Sequence, residues 1–275
     1  MAMKNEPDLF SSTVCNGEQS RILYLDTETT GVDTETAHVC EIAFLLSTYE
    51  GFIRNPQKDV RIQELILPPE PVPPEASAVH HITNGMLAGK PALEDVSERI
   101  SDIVSKADYI SAHNAPYDLA ILKRQLPDIF GEIADGMKLD SLRLARHIWP
   151  SIPSHSLQSL RYRFNLDAEI TGDAHRAMFD TELVRSLIEY ILRMNLVSPD
   201  SWADLVKYTQ SALEVLTFSF GKYRGKLVED IAAQDTDYIR WLLRQEWVPA
   251  DYPDLYHTLL GKKCGKGKKH EPSTQ

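Results

Sequence analysis

Residues 21–31 read Arg-Ile-Leu-Tyr-Leu-Asp-Thr-Glu-Thr-Thr-Gly. The run Ile22, Leu23, Tyr24, Leu25 is apolar and bounded by polar residues, the pattern of a short buried strand. Asp26 falls at the end of that strand. Side chains alternate across a strand, so Asp26 and Glu28 share one face, an arrangement suited to a common cation. Acidic pairs on solvated edges are abundant, and that plain alternative stands while the pair is taken alone. Thr29-Thr30-Gly31 then turns the chain away.

Outward from this stretch, Glu41–Ser47 and Ile62–Leu67 read as two further strands, the second stopped by Pro68, Pro69, Pro71, Pro73 and Pro74. Three strands in succession predict a β-meander. Pro74 suits the first turn of a helix ending near His80, and Leu93, Val96, Ile100, Ile103 and Val104 recur at helical spacing. A fourth strand is expected at Tyr109–Ala112, then a helix from Tyr117 to Gln125 and a short apolar stretch at Met137–Leu139. Helices are expected at Ser141–Trp149, Ser156–Arg163 and Ala177–Leu196. The order predicts an α/β fold, a mixed β-sheet flanked by helices. Residues 1–20 read as a loosely attached leader, 21–197 as the main domain, 211–260 as a small C-terminal module and 261–275 as a lysine-rich solvated tail, with Pro199 near the boundary. Within the module, Phe218–Gly225 looks like a turn-rich β segment and Tyr238–Leu243 like a short helix.

The chain has 275 residues, 43% of them hydrophobic and 25% charged, the composition of an ordinary globular protein. No apolar run approaches the ~18–20 residues that cross a bilayer, and the first twenty residues carry no basic-then-apolar signal, so a cytoplasmic protein with no membrane partner is expected. Cys15, Cys40 and Cys264 are odd in number and lack metal-ligand spacing, which argues for reduced thiols over a disulfide framework or zinc site. The net charge of −11 is unfavourable for a phosphate binder, but it is unevenly spread: residues 1–210 carry 19 Lys and Arg against 31 Asp and Glu, and the remainder 10 against 9. Bound cations would make the local acidity tolerable.

Two more segments carry chemistry. His113-Asn114-Ala115-Pro116-Tyr117-Asp118 leaves Asp118 near a helix start, where a capping or dipole-stabilising role is the simple reading. In His175-Arg176-Ala177-Met178-Phe179-Asp180, five helical residues would rotate by about 500°, leaving the two end side chains roughly 140° apart. Asp180 is therefore expected on the helix and His175 in the loop or first turn before it, beside a carboxylate, where a base could act on water. Lys222-Tyr223-Arg224-Gly225-Lys226 offers three cations and an aromatic ring, a phosphate contact with a stacking surface or a solvated hairpin tip.

In this order the three acidic segments resemble the DEDDh (DnaQ-like) 3′→5′ exonuclease family of the ribonuclease H-like fold, over about residues 22–192 and including Pro74-Glu75-Ala76-Ser77-Ala78-Val79-His80-His81-Ile82-Thr83. Phe218–Lys226 and Asp237–Leu242 look like the small C-terminal module of the exodeoxyribonuclease X-like branch, and Lys138–Arg146 with Trp149-Pro150 support the same branch less sharply. The resemblance implies that Asp26, Glu28, Asp118 and Asp180 hold two Mg²⁺ or Mn²⁺ ions, and that His175 takes a proton from the attacking water. It implies a substrate set of Thr29, Thr30, Gly31, Val32, His113 and Asn114, with Val32 on the last base; Lys222, Arg224 and Lys226 join that set as backbone contacts on their charge alone. Implied partners are DNA with a free 3′ end, single- or double-stranded, and repair or replication proteins. An exoribonuclease resembling RNase T or oligoribonuclease, and a proofreading module of a DNA polymerase, carry similar motifs and stay open. Four carboxylates in one cleft favour cations independently of any family, since like charges ~4 Å apart repel by roughly 4 kcal/mol at an effective dielectric near 20.

Overall fold

A computed structural model describes residues 19–168, 170 and 176–264. The main unit comprises residues 19–144 and 154–209. Its five-stranded mixed sheet has the order β3-β2-β1-β4-β5, built from β1 (Gln19–Thr29), β2 (Val39–Glu50), β3 (Ile53–Leu65), β4 (Tyr109–Ala112) and β5 (Lys138–Asp140). The first three are antiparallel, as a meander requires, whereas β4 and β5 run parallel to β1. The helices are α1 (Pro74–His80), α2 (Asn84–Leu87), α3 (Ser97–Ser105), α4 (Ala115–Gln125), α5 (Pro127–Phe130), α6 (Ser141–Ile148), α7 (Leu157–Phe164), α8 (Ala177–Arg193) and α9 (Trp202–Gln210).

Strand alternation assigns the two faces of the sheet. Leu23 and Leu25 of β1, with Ile42, Phe44 and Leu46 of β2, form one core with Ile100, Ile103, Leu119 and Leu122 of α3 and α4. The opposite face, which carries Ile22, Tyr24, Asp26 and Glu28, packs against α8. That helix buries Leu183, Val184, Leu187, Ile188 and Ile191 at helical spacing.

The strands are longer than their apolar signals. β1 begins at Gln19, inside the expected leader, because Gln19 and Ser20 pair with Glu50 and Tyr49 of β2. β3 starts nine residues before Ile62, through the polar sequence Ile-Arg-Asn-Pro-Gln-Lys-Asp-Val-Arg. It is an edge strand with one solvated side, so it needs little apolar patterning, and Pro56 falls where pairing lapses between Asn55 and Val60. The helices begin or end within a few residues of the expected bounds. Ser156 supplies the cap of α7, its Oγ accepting from the N–H of Ser159.

The second unit comprises residues 145–153 and 210–264 and has its own core of Phe218, Val228, Ile231, Ile239, Leu242, Val248, Leu255 and Leu259. It contains α10 (Val228–Gln234), α11 (Thr236–Leu242), α12 (Trp247–Asp251) and α13 (Pro253–Cys264). The expected β segment at Phe218–Gly225 reduces to a single bridge, Thr217 to Leu227. Gly221 and Gly225 adopt φ of 69° and 79°, which closes a tight turn where a strand would stay extended. One helix was expected here and four are present among the described residues; three of them have five to seven residues, too short for periodicity to register. α13 also runs past Gly261, where the solvated tail was expected to begin. Among the described residues no helix is long and apolar enough to cross a membrane.

Candidate active site

β1 runs through the acidic pair instead of stopping before it, and a register shift between Glu28 and Thr29 bends the strand immediately afterwards. Asp180 arrives from the first turn of α8 on the same face. One carboxylate oxygen from each of Asp26, Glu28 and Asp180 lies within 4.8 Å of the other two. At that spacing each ionised pair repels by roughly 3–4 kcal/mol at an effective dielectric near 20. Burial, and then the neighbouring Asp118, Asp180, Glu28 and Glu41, hold Asp26 well above the usual carboxylate range. Burial and the same acidic surroundings push Glu28 up to about 8.

Asp118 sits in the first turn of α4 and is buried. It stands outside that trio of carboxylates. Its Oδ1 accepts from the backbone N–H and the Oγ1 of Thr27, at 3.1 and 2.7 Å, so the residue between the acidic pair fixes the next acid along. Burial pushes Asp118 up to about 7, although the two Thr27 bonds pull downward. The turn into α4 depends on Asn114, whose φ of 77° is one that Asn tolerates better than most residues and whose N–H donates to Asp140 Oδ1 at 3.1 Å. His113 is held from both ring nitrogens, Nδ1 by Ser141 Oγ at 2.9 Å and Nε2 by the carbonyl of His155 at 2.8 Å. His175 lies outside the described residues; α8 begins at Ala177, two residues after it.

Thr29, Thr30, Gly31 and Val32 form a closed loop beside the acids. The hydroxyls of Thr29 and Tyr117 lie 2.8 Å apart and each reaches the Gly31 carbonyl at 2.7 Å. Thr30 bonds His38 twice, through its N–H to the His38 carbonyl and through its Oγ1 to the His38 N–H, both at 2.9 Å. Val32 projects from this loop with 89% of its surface exposed.

Four residues that the sequence reading left without a role organise the site. Glu41 stands directly opposite Glu28 in the antiparallel pair and is fully buried. It accepts from Arg176 Nη2 at 2.7 Å, the Ala177 N–H at 3.1 Å and Gln63 Nε2 at 2.8 Å. Burial alone would raise its pKa, yet the Arg176, Ala177 and Gln63 bonds outweigh that and leave it below the ordinary value. Glu41 and Arg176 thereby pin the start of α8 to β2. Gln158 of α7 donates to Asp180 Oδ1 at 2.6 Å, and Thr27 orients Asp118. The one signal available for Glu41 was a charge inside the apolar run Val39–Leu46, which a buried strand accommodates only with a partner.

In the second unit, Lys222 is already committed. Its Nζ pairs with Asp235 at 2.9 Å and lies over the rings of Tyr223 and Tyr238 at 4.7 and 4.8 Å. Arg224 and Lys226 are exposed and make no ion pair among the described residues.

Known proteins share both parts of this chain. The RNase T family of exonucleases matches residues 23–187, and the Exodeoxyribonuclease X-like C-terminal family matches residues 218–246. Exodeoxyribonuclease 10 of Escherichia coli (strain K12) is 32% identical over 236 residues, covering 86% of this chain and 95% of that protein. The epsilon subunit of DNA polymerase III from Treponema pallidum (strain Nichols) is 28% identical over 218 residues, 77% of this chain and 89% of that one. A solved structure of Exonuclease X in complex with 5′ overhanging duplex DNA superposes with a TM-score of 0.50 at 29% identity, covering 68% of this chain and 98% of that one. A zinc-bound E. coli ExoI–ssDNA complex shares the fold, with a TM-score of 0.53 at 19% identity over 70% of this chain and 43% of that one.

Proposed function

Because this chain belongs to the RNase T family of exonucleases, we propose that it is a 3′→5′ exodeoxyribonuclease, which hydrolyses the terminal phosphodiester of DNA and releases nucleoside 5′-monophosphates. The observation that carries this reading is the convergence of Asp26, Glu28 and Asp180 within 4.8 Å, with a buried Asp118 beside them. An all-oxygen donor set suits hard divalent cations, two Mg²⁺ or Mn²⁺ ions in this reading. Asp26, Glu28, Asp118 and Asp180 would hold them, and the ions would supply Lewis acidity toward the attacking water and the leaving 3′ oxygen.

The chain's own side chains do the rest. His175, one residue before the anchored Arg176, accepts the proton of the attacking water. Thr29, Thr30 and Gly31 form the wall against the terminal nucleotide, and the exposed Val32 packs on its base. His113 acts as a shaper of the α4 turn, since both its ring nitrogens already serve Ser141 and His155, whereas Asn114 commits only its backbone N–H, to Asp140, and its exposed carboxamide faces the substrate. Residues 21–197 form the exonuclease domain and 211–260 its exodeoxyribonuclease X-like module, and the natural setting is cytoplasmic DNA repair. The similarity to epsilon subunits favours a second setting, proofreading beside a polymerase, which co-purification with one would support.

The test uses 5′-labelled single-stranded DNA and matched RNA, with Mg²⁺ or EDTA, and the Asp26→Ala variant. Stepwise Mg²⁺-dependent shortening of DNA that is lost in the variant is the expected result. Faster loss of RNA would move the substrate to RNA, and no cleavage of either strand would overturn the proposal.

A further inference from the structure

The turn at Phe218–Lys226 is more rigid than a solvated hairpin tip. Phe218 is buried and anchors it, and the backbone closes on itself through Gly225 N–H to the Phe218 carbonyl at 2.7 Å and Phe218 N–H to the Lys226 carbonyl at 3.0 Å. Gly221 has a positive φ, and a Cβ there would lie 2.8 Å from the Tyr238 hydroxyl, so the turn is pressed onto α11. Lys222 locks the two together by spanning Tyr223 and Tyr238 and pairing with Asp235, which also accepts the Tyr223 hydroxyl at 2.6 Å.

This scaffold presents a continuous aromatic row. Tyr223 meets Tyr238 edge-on at 5.0 Å, and Tyr238 stacks on Trp241 at 5.7 Å with an interplanar angle of 24°. Trp241 meets Trp247 edge-on at 6.4 Å on its other side, yet keeps 48% of its surface exposed, where an indole serving only the core would be covered. From the same locked turn come Arg224 and Lys226, both exposed and, among the described residues, without ion-pair partners. The segment 211–275 is the near-neutral part of a chain whose remainder is strongly acidic, so it is the surface that a polyanion meets with least repulsion.

We propose that the C-terminal unit is a second grip for single-stranded DNA, in which Trp241, supported by Tyr238, stacks a base while Arg224 and Lys226 contact the adjoining phosphates. Stacking tolerates any base, so the grip is sequence-independent. Tethered to the catalytic unit, it raises the effective concentration of the strand and favours long substrates over short ones. Lys222 is a positioning residue here. The proposal deepens the exonuclease reading, because it assumes that this chain engages DNA strands.

Binding of the full chain to a fluorescent twenty-nucleotide oligothymidine in EDTA tests the grip without hydrolysis. Trp241→Ala should weaken binding about 5-fold or more, the range of one lost base stack. The Arg224→Gln/Lys226→Gln double variant should lower the slope of log affinity against log salt by about 1.4, at roughly 0.7 per phosphate contact on a single strand. In Mg²⁺, the preference of the wild type for the twenty-mer over a trinucleotide, read as the ratio of their KM values, should shrink in both variants. Far-ultraviolet dichroism and the unfolding transition confirm that each variant is folded; Trp241→Phe, which keeps a stacking ring, should recover part of the affinity. Unchanged affinity in Trp241→Ala together with an unchanged salt slope in the double variant would overturn the grip while leaving the exonuclease reading intact. Retained oligothymidine binding with no hydrolysis of any DNA would do the reverse. Tighter binding of oligouridine than of oligothymidine would overturn the choice of DNA as the occupant.

Discussion

Replacing Glu28 by glutamine should stabilise the cation-free protein at neutral pH and weaken the response to Mg²⁺. In the folded chain Glu28 is pushed up to about 8 from an ordinary value of 4.5. A raised folded-state pKa means that the native state holds the proton more tightly than the unfolded chain. The associated stability is therefore complete below about pH 4.5 and is lost as pH rises toward 8. Between those limits the loss is one proton's worth, about 1.4 kcal/mol per pH unit. From pH 5 to pH 7 the wild type accordingly gives up about 3 kcal/mol through this residue alone. The amide of the Glu28→Gln variant has nothing to titrate, so its advantage over wild type should grow by about 3 kcal/mol across that interval. For a unit of this size that is a Tm difference of roughly 6–12 °C. Calorimetry in EDTA at pH 5, 6 and 7 reads the trend directly. Saturating Mg²⁺ should offset most of it, because ligand binding stabilises the native state by about 2.7 kcal/mol at a hundred times Kd and the variant binds more weakly. A Glu28→Gln advantage that is absent at pH 7, or equal at pH 5 and 7, would refute the idea that these acids are held against their mutual repulsion.

Glu41→Gln should cost about 3 kcal/mol in urea unfolding, the lower end for breaking a buried pair, since Arg176 is partly exposed. It should also lower kcat by loosening the start of α8; a Glu41→Met/Arg176→Met double variant that recovers stability without recovering kcat would separate the two effects. Thr27→Val removes the hydroxyl bond that holds Asp118 down, so the acid limb of kcat/KM should move to higher pH, with a stability loss of about 1–3 kcal/mol. Val32→Ala should raise KM on every DNA substrate while kcat holds, and unchanged kinetics throughout would remove Val32 from the pocket. Gly221→Ala meets both a left-handed backbone and the Tyr238 hydroxyl, so limited proteolysis should find the C-terminal unit destabilised by about 1–2 kcal/mol with the main unit unaffected.

What could be read from the chain follows from where its signals are local. The apolar run Ile22–Leu25, the alternation through Glu28 and the proline stop after Leu67 each lie within a few residues, and they suffice for a meander covered by helices. β3 escaped because an edge strand can be polar over most of its length, as Ile53–Arg61 is. Of the C-terminal helices, Tyr238–Leu243 anticipated α11, whereas α10 and α12 escaped because each is no longer than about two turns. In the site, Asp26 and Glu28 were visible as a pair, but the partnership of Thr27 with Asp118 spans 91 residues and that of Glu41 with Arg176 spans 135. Neither leaves a spacing in the sequence. The pairing of Lys222 with Asp235 was equally out of view, because the partner comes from the segment between α10 and α11.

The pairing of Glu28 with Glu41 shows how the fold separates two kinds of acid. Directly opposed carboxylates on neighbouring strands repel, and an apolar interior magnifies the effect. The protein answers for Glu41 internally, with Arg176, the first N–H of α8 and Gln63, and its pKa drops accordingly. For Asp26 and Glu28 it offers no such partner: neither side chain makes an ion pair among the described residues, and both are held above the ordinary range. An acid neutralised by the fold is committed to architecture, whereas acids left repelling one another stay bound together only through an external positive charge or through protons. The anchor therefore does more than neutralise Glu41. By fixing the first turn of α8 it keeps Asp180 against Asp26 and Glu28, so a structural ion pair sustains the repulsion that a divalent cation relieves.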